Sequence, residues 1–199
     1  DFKSNVSAHY FIKKNGNILN LVPDLYEAWH AGKSSWKKYK FLNKNSIGIE
    51  IQNPGHEHGY ENFTLKQINS LRKLLKKLMK SYKINLNNVL GHSDIAPARK
   101  KDPGEKFPWE SLAKLKLAKW HKLNEKKLKK LRLIKLTQKE EKQFLKNLFS
   151  IGYKSIKISK SNFNNRLLFR AFQRRFRQNL INGKSDQECL LVSKNLLKP

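Results

Sequence analysis

From Gly91 to Gly104 the chain reads Gly-His-Ser-Asp-Ile-Ala-Pro-Ala-Arg-Lys-Lys-Asp-Pro-Gly. His92 and Asp102 stand ten residues apart, and Lys100 lies two positions before the aspartate. A neutral imidazole and a carboxylate are both good ligands for Zn²⁺. A lysine beside them can stabilise an oxyanion that forms on a polarised carbonyl. Pro97 and Pro103 restrict φ and limit how the loop rearranges, as a preorganised site requires. Taken alone, the same spacing also suits an ordinary surface turn. A second segment, Asn45-Ser46-Ile47-Gly48-Ile49-Glu50-Ile51-Gln52-Asn53, reads as a short strand with its isoleucines on one face. Glu50 then points to the opposite face. It is either a solvated carboxylate or a general base whose pKa is raised by its surroundings.

Further chemistry-bearing residues precede these. Ala28-Trp29-His30-Ala31-Gly32 lies upstream of the Glu50 strand, Phe107-Pro108-Trp109 follows the His92 loop, and Val6-Ser7-Ala8-His9-Tyr10-Phe11-Ile12 opens the chain, with Asn15-Gly16 as a hairpin turn. In this order the motifs resemble the zinc-dependent N-acetylmuramoyl-L-alanine amidases of the AmpD/AmiD type, relatives of phage T7 lysozyme and the peptidoglycan recognition proteins. The resemblance covers roughly residues 5–113. It implies that His92 and Asp102 are Zn²⁺ ligands, that Glu50 activates water, and that Lys100 stabilises the tetrahedral intermediate. It sets Trp29, His30 and His9 along the substrate groove. The implied reaction is hydrolysis of the amide joining N-acetylmuramic acid to L-alanine of the peptide stem, in peptidoglycan or muropeptides, during cell-wall turnover. The alternative is a non-catalytic peptidoglycan-binding remnant of such an enzyme.

The family's third zinc ligand is a His in an apolar first strand, several tens of residues before the Ser-Ala-His-Tyr stretch. This sequence begins at Asp1, eight residues before His9, so that strand and that ligand are expected outside it. His9 is the alternative third ligand within the chain, but the resemblance sets it in the strand or groove.

The elements that must position these residues follow from pattern. Thr64 to Tyr82 reads as a helix with a Thr64/Gln67 capping box and a stripe of Leu65, Ile68, Leu71, Leu75, Leu78, Met79 and Tyr82. It would pack on strands at His9–Lys13, Asn17–Val22, Ile47–Ile51 and Asn88–Leu90. The His56-Glu57-His58 run sits among Gly and Pro and reads as surface loop. The expected fold is α/β, a mixed central sheet flanked by helices and followed by a small three-helix domain. The expected division is an amidase domain over residues 1–113, lacking its first strand, then a basic helical linker over 114–136, then a three-helix domain over 137–199. In the last, Thr137/Glu140 and Ser185/Glu188 form capping boxes, and a helix from Asn164 to about Asn179 carries Leu167, Leu168, Ala171, Phe172 and Phe176 on one face. Ala171-Phe172-Gln173, Phe176 and Asn182-Gly183 resemble the three-helix peptidoglycan-binding domain; an ordinary bundle would carry Arg174, Arg175 and Arg177 as solvated charge.

Composition bounds the rest. The 199 residues carry a net charge of +28, from 43 Lys and Arg against 15 Asp and Glu. Such a charge favours polyanions, yet the lysines are spread evenly and no nucleic-acid motif appears, so no specific nucleic-acid partner is expected. The partners expected are peptidoglycan or muropeptide, with peripheral association to the envelope, and the state expected is a monomer. No apolar run is long enough to span a bilayer. The single Cys189 excludes an internal disulfide and falls in an apolar helical pattern, as a core residue would. An amidase followed by a wall-binding bundle is the envelope arrangement of this family, which points to the bacterial periplasm or outer membrane; the cytoplasm is the alternative.

Overall fold

Chain order gives five short strands, seven α-helices and two 3₁₀ turns among the residues described, 6–156 and 164–198, in a computed structural model. They divide into two compact units. The first holds residues up to Ser35, then Tyr39–Val89 and Lys106–Ala118; the second holds Trp36–Lys38, Leu90–Glu105 and the chain from Lys119 onward.

In the first unit, β1 (Tyr10–Ile12) is the middle strand of a three-stranded sheet. It pairs antiparallel with β2 (Ile18–Asn20), Tyr10 opposite Asn20 and Ile12 opposite Ile18. The Asn15-Gly16 turn that joins them is closed by Lys13 and Asn17. Gly16 has φ +88, and a Cβ there would lie 2.9 Å from the Lys66 carbonyl oxygen, so both its backbone and its surroundings demand glycine. Two-residue strands β3 (Ser35–Trp36) and β4 (Tyr39–Lys40) form a separate pair. On its other side β1 pairs in parallel with β5 (Ile49–Ile51).

The helix α1 (Leu65–Ser81) starts at the expected capping box: Thr64 Oγ1 accepts the Gln67 N–H, and Gln67 Oε1 accepts the Thr64 N–H at 2.9 Å. The same two side chains fix the helix to the sheet. Thr64 Oγ1 donates to the Lys14 carbonyl at 2.8 Å and Gln67 Nε2 to the Gln52 carbonyl at 2.7 Å. The buried face is Ile68, Leu71, Leu74, Leu75 and Leu78, not the expected stripe throughout: Leu65 is 81% exposed. At ~100° per residue, Leu65 points roughly 120° away from the middle of that face. The expected strand Asn88–Leu90 is absent too. A 3₁₀ turn occupies Leu86–Asn88, because the Asn85 side chain accepts the Asn87 N–H and turns the backbone there.

The first helix of the second unit is α2 (His92–Ile95), which packs on α6. After α3 (Trp109–Lys114), which belongs to the first unit, the expected basic connector contains only one more helix, α4 (Glu125–Leu131), capped by Asn124. Then come α5 (Gln138–Ile151), α6 (Asn165–Phe176) and α7 (Gln187–Leu196), with α7 packed on both α4 and α5. Phe144, Leu148, Leu168, Phe172, Val192 and Cys189 fill the core between them. Thr137 and Glu140 form their capping box as expected. At α7 the cap is Asp186, not Ser185: Asp186 Oδ1 accepts the Cys189 N–H at 2.9 Å, while Ser185 donates to Glu141. Glu188 is buried and takes a bidentate bond from Arg132. Two arginines at the C-terminal end of α6 also differ from the solvated picture. Arg175 and Arg177 are each only 3% exposed, paired with Asp94 and Asp186 respectively.

Candidate active site

The Gly91–Gly104 loop wraps around the single helical turn of α2. His92 opens the turn, and the Ala96 N–H closes on the His92 carbonyl at 2.9 Å. The Arg99 and Lys100 N–H groups both return to the Ala96 carbonyl, which tightens the path toward Asp102. The Ser93 N–H then donates to the Asp102 carbonyl at 2.8 Å. These bonds fold the ten-residue separation back on itself. His92 Nδ1 meets Asp102 Oδ2 at 3.1 Å, and Arg99 Nη2 lies 3.3 Å from His92 Nε2. Read as a network, the Nδ1–H donates to the carboxylate and Nε2 accepts from the guanidinium.

Partial burial pushes the Asp102 carboxyl upward. The hydrogen bond and charge of His92, the loop's own backbone and the charge of Lys100 outweigh it and hold the group below its ordinary 3.8. Asp102 is thus an anion at neutral pH, as a metal ligand must be. Two ligand atoms at zinc distances and a tetrahedral angle are about 3.4 Å apart. His92 Nδ1 and Asp102 Oδ2, joined at 3.1 Å by a hydrogen bond, lie close to that spacing, and an ion between them would take the place of the Nδ1 proton. Among the described residues no group of three His, Cys, Asp or Glu is gathered for a metal.

The other expected residues lie in the first unit. Glu50 sits in the middle of β5, in register with Phe11 of β1, and its side is exposed. Among the described residues β5 is an edge of the sheet. Trp29 is 54% exposed, a large indole left facing solvent. His30 is half-buried, its Nε2 3.3 Å from the Ser46 carbonyl oxygen, and its side chain packs against Gly48. A Cβ on residue 48 would fall 2.3 Å from His30 Cγ. This contact gives a physical reason for the glycine in Asn-Ser-Ile-Gly-Ile-Glu. His9 is 1% exposed with both ring nitrogens engaged: Nδ1 accepts the Gly48 N–H at 3.0 Å, and Nε2 donates to the Tyr26 carbonyl at 3.0 Å. That tautomer leaves His9 with a scaffolding task, holding the Glu50 strand and the Tyr26 turn together. The His56-Glu57-His58 run is an exposed turn, with the His56 ring stacked on Tyr60 at 4.3 Å.

Across the whole sequence, the profile of N-acetylmuramoyl-L-alanine amidases (Amidase_2) matches residues 1–105. The amidase AmiD of Escherichia coli K12 is 35% identical over 205 residues, covering 97% of this chain and 74% of its own length. The chain belongs to the N-acetylmuramoyl-L-alanine amidase family. The 1,6-anhydro-N-acetylmuramyl-L-alanine amidase AmpD of Haemophilus influenzae is 41% identical, but over 110 residues, 55% of this chain and 58% of that protein. A solved E. coli AmiD, in complex with anhydro-N-acetylmuramic acid-L-Ala-D-gamma-Glu-L-Lys, superposes with a TM-score of 0.82 at 34% identity, over 99% of this chain and 84% of that one. The amidase likeness thus runs through the C-terminal helices as well as the N-terminal half.

Three further residues of this amidase, Asp94, Tyr153 and Arg175, meet two positions along the chain from His92. Tyr153 Oη donates to Asp94 Oδ1 at 2.7 Å, and Arg175 Nη1 donates to Asp94 Oδ2 at 3.0 Å. A signal was present: Arg175 lies seven residues after Leu168 and three after Phe172, squarely within the apolar stripe of α6. A charge in such a stripe calls for a buried partner.

Proposed function

We propose that this protein is a zinc-dependent N-acetylmuramoyl-L-alanine amidase that cleaves the bond between N-acetylmuramic acid and L-alanine in peptidoglycan or muropeptides. The observation that carries the reading is the 3.1 Å approach of His92 and Asp102 within the family's loop. His92 and Asp102 would hold Zn²⁺. Zinc bound there would polarise the scissile carbonyl and lower the pKa of water. Glu50 takes the proton of the attacking water and returns it to the leaving amine. Lys100 offers its ammonium to the oxyanion that develops on the carbonyl. Trp29 and His30 present an aromatic surface to the sugar or stem. His9 is left out of that surface, since its ring nitrogens are already committed. The helices α5–α7 serve as the wall-binding part, and the cell envelope is the place of action. What supports this is the likeness to AmiD over 97% of the chain, against 55% for AmpD. The working state is a monomer.

The test is zinc content together with release of free stem peptide from muropeptides, for this chain and for the same chain extended upstream. Glu50→Gln should lower turnover by roughly 10²–10⁴-fold while zinc stays bound. His92→Ala should lose zinc and activity together. If neither chain takes up zinc while both bind cell wall, the catalytic reading fails and a wall-binding protein remains.

A further inference from the structure

Asp94 has no part in the chemistry proposed for the loop, yet its side chain is held on both oxygens. It is 2% exposed and accepts three hydrogen bonds. Oδ2 takes the Gly91 N–H at 2.8 Å and the Arg175 guanidinium at 3.0 Å; Oδ1 takes the Tyr153 hydroxyl at 2.7 Å. Arg175 and Tyr153 are themselves 3% and 1% exposed. Burial, and after it the Asp94 carboxylate, push the Tyr153 phenol far up, so it remains a donor at any ordinary pH. A carboxylate in such a place is costly unless every lone pair is met, and here the donors come from three separate stretches of the unit.

The consequence lies in what Asp94 holds. The helix α2 has only four residues, too few for cooperative stability of its own. Its position is set by the groups bound to its ends. Gly91, whose N–H is fixed by Asp94, immediately precedes His92. Ser93, immediately before Asp94, donates its N–H to the Asp102 carbonyl. Any shift of Asp94 therefore moves both His92 and Asp102.

We propose that Asp94, clamped by Tyr153 and Arg175, is the positioning residue that sets His92 and Asp102 at metal-ligand spacing, so that metal affinity is governed from α6 and from the chain just after α5. This rests on the reading of His92 and Asp102 as zinc ligands. The partners behind metal ligands commonly influence affinity by about 10–100-fold.

The experiment compares zinc dissociation constants by chelator competition, Co²⁺ absorption spectra, amide exchange over residues 91–102 and thermal unfolding. The variants, in the full natural chain, are Tyr153→Phe, Arg175→Met, Arg175→Lys and His92→Ala, with Leu148→Ala as a core-destabilising control. Tyr153→Phe and Arg175→Met should weaken zinc by roughly 10–100-fold, alter the Co²⁺ spectrum and speed exchange around Gly91. Arg175→Lys, which keeps a cation, should recover part of the loss. Leu148→Ala should lower the melting temperature and leave zinc affinity in place. Should Arg175→Met fail to fold, the near-isosteric Tyr153→Phe still decides the matter. Wild-type affinity in Tyr153→Phe and Arg175→Met, or a loss no greater than that of Leu148→Ala at equal melting temperature, overturns the clamp. Zinc binding that His92→Ala leaves untouched overturns the ligand reading, and the clamp with it; that result is distinct from one in which His92→Ala matters and Arg175→Met does not.

Discussion

At the scale of single residues, Gly48 shows how much one missing atom can carry. Its backbone φ is unexceptional, so the demand for glycine is purely one of room for the His30 ring. Gly48→Ala should destabilise the protein by about 1–3 kcal/mol, the usual range for overpacking, and should displace His30. Equilibrium denaturation checks the first and NMR of the His30 ring the second; a change in stability under about 0.5 kcal/mol, typical of uncritical positions, would refute the packing argument. The motif containing Gly48 was legible in the sequence as a motif, and the strand face of Glu50 followed from simple alternation. The ring against Gly48 was not legible, because His30 and Gly48 are brought together only by the turns between them. The same holds for His9. The family resemblance set it in the strand or groove, with a ligand role as the alternative, whereas its two hydrogen bonds depend on Tyr26 and Gly48, neither adjacent in sequence.

Helix termini make the clearest statements at the scale of elements. Thr64 and Gln67 were readable as a capping box, and that box is present with both reciprocal bonds. Thr64→Ala should cost about 1 kcal/mol from the cap alone, and more here because the same hydroxyl also ties α1 to Lys14. At α7 the local pattern was misleading. Ser185 and Glu188 have the spacing of a box, but Asp186 caps the helix and also receives Arg177. Asp186→Ala should therefore destabilise far more than Ser185→Ala, since it strands a buried guanidinium as well as an N–H group. Thermal unfolding of the two variants side by side settles it, and equal losses would contradict the assignment. Spacing finds a cap when competition is only local. It fails where distant ionic partners claim the same side chains, as Arg132 claims Glu188.

For the molecule as a whole, ionisable groups inside the fold set a limit on alkaline stability. Burial, then Asp24, push the Tyr10 phenol from 10.0 up to about 12, and burial, then Asp94, push Tyr153 well above 10.0. The folded chain keeps protons that the unfolded chain has released. Their contribution is complete below pH 10 and falls as pH rises from there toward the folded values. Urea denaturation at about pH 9 and about pH 11 should show a clear loss of unfolding free energy, and Tyr10→Phe should flatten the decline; a flat profile in the parent protein would count against both shifts. The architecture of sheet, long helix and terminal bundle was largely open to sequence patterning, since periodicity reports on faces. Which carboxylate neutralises Arg175 was not, because that partner lies 81 residues away. That distance also has a bearing on biosynthesis. A chain emerging from the ribosome presents Asp94 well before Tyr153, 59 residues later, and Arg175 later still. Contacts so distant in sequence close late and slowly. The loop bearing His92 and Asp102 thus gains its last anchor only once Arg175 has been made, and a nascent chain that stops short of it is left with the residues of the centre but without the means of holding them.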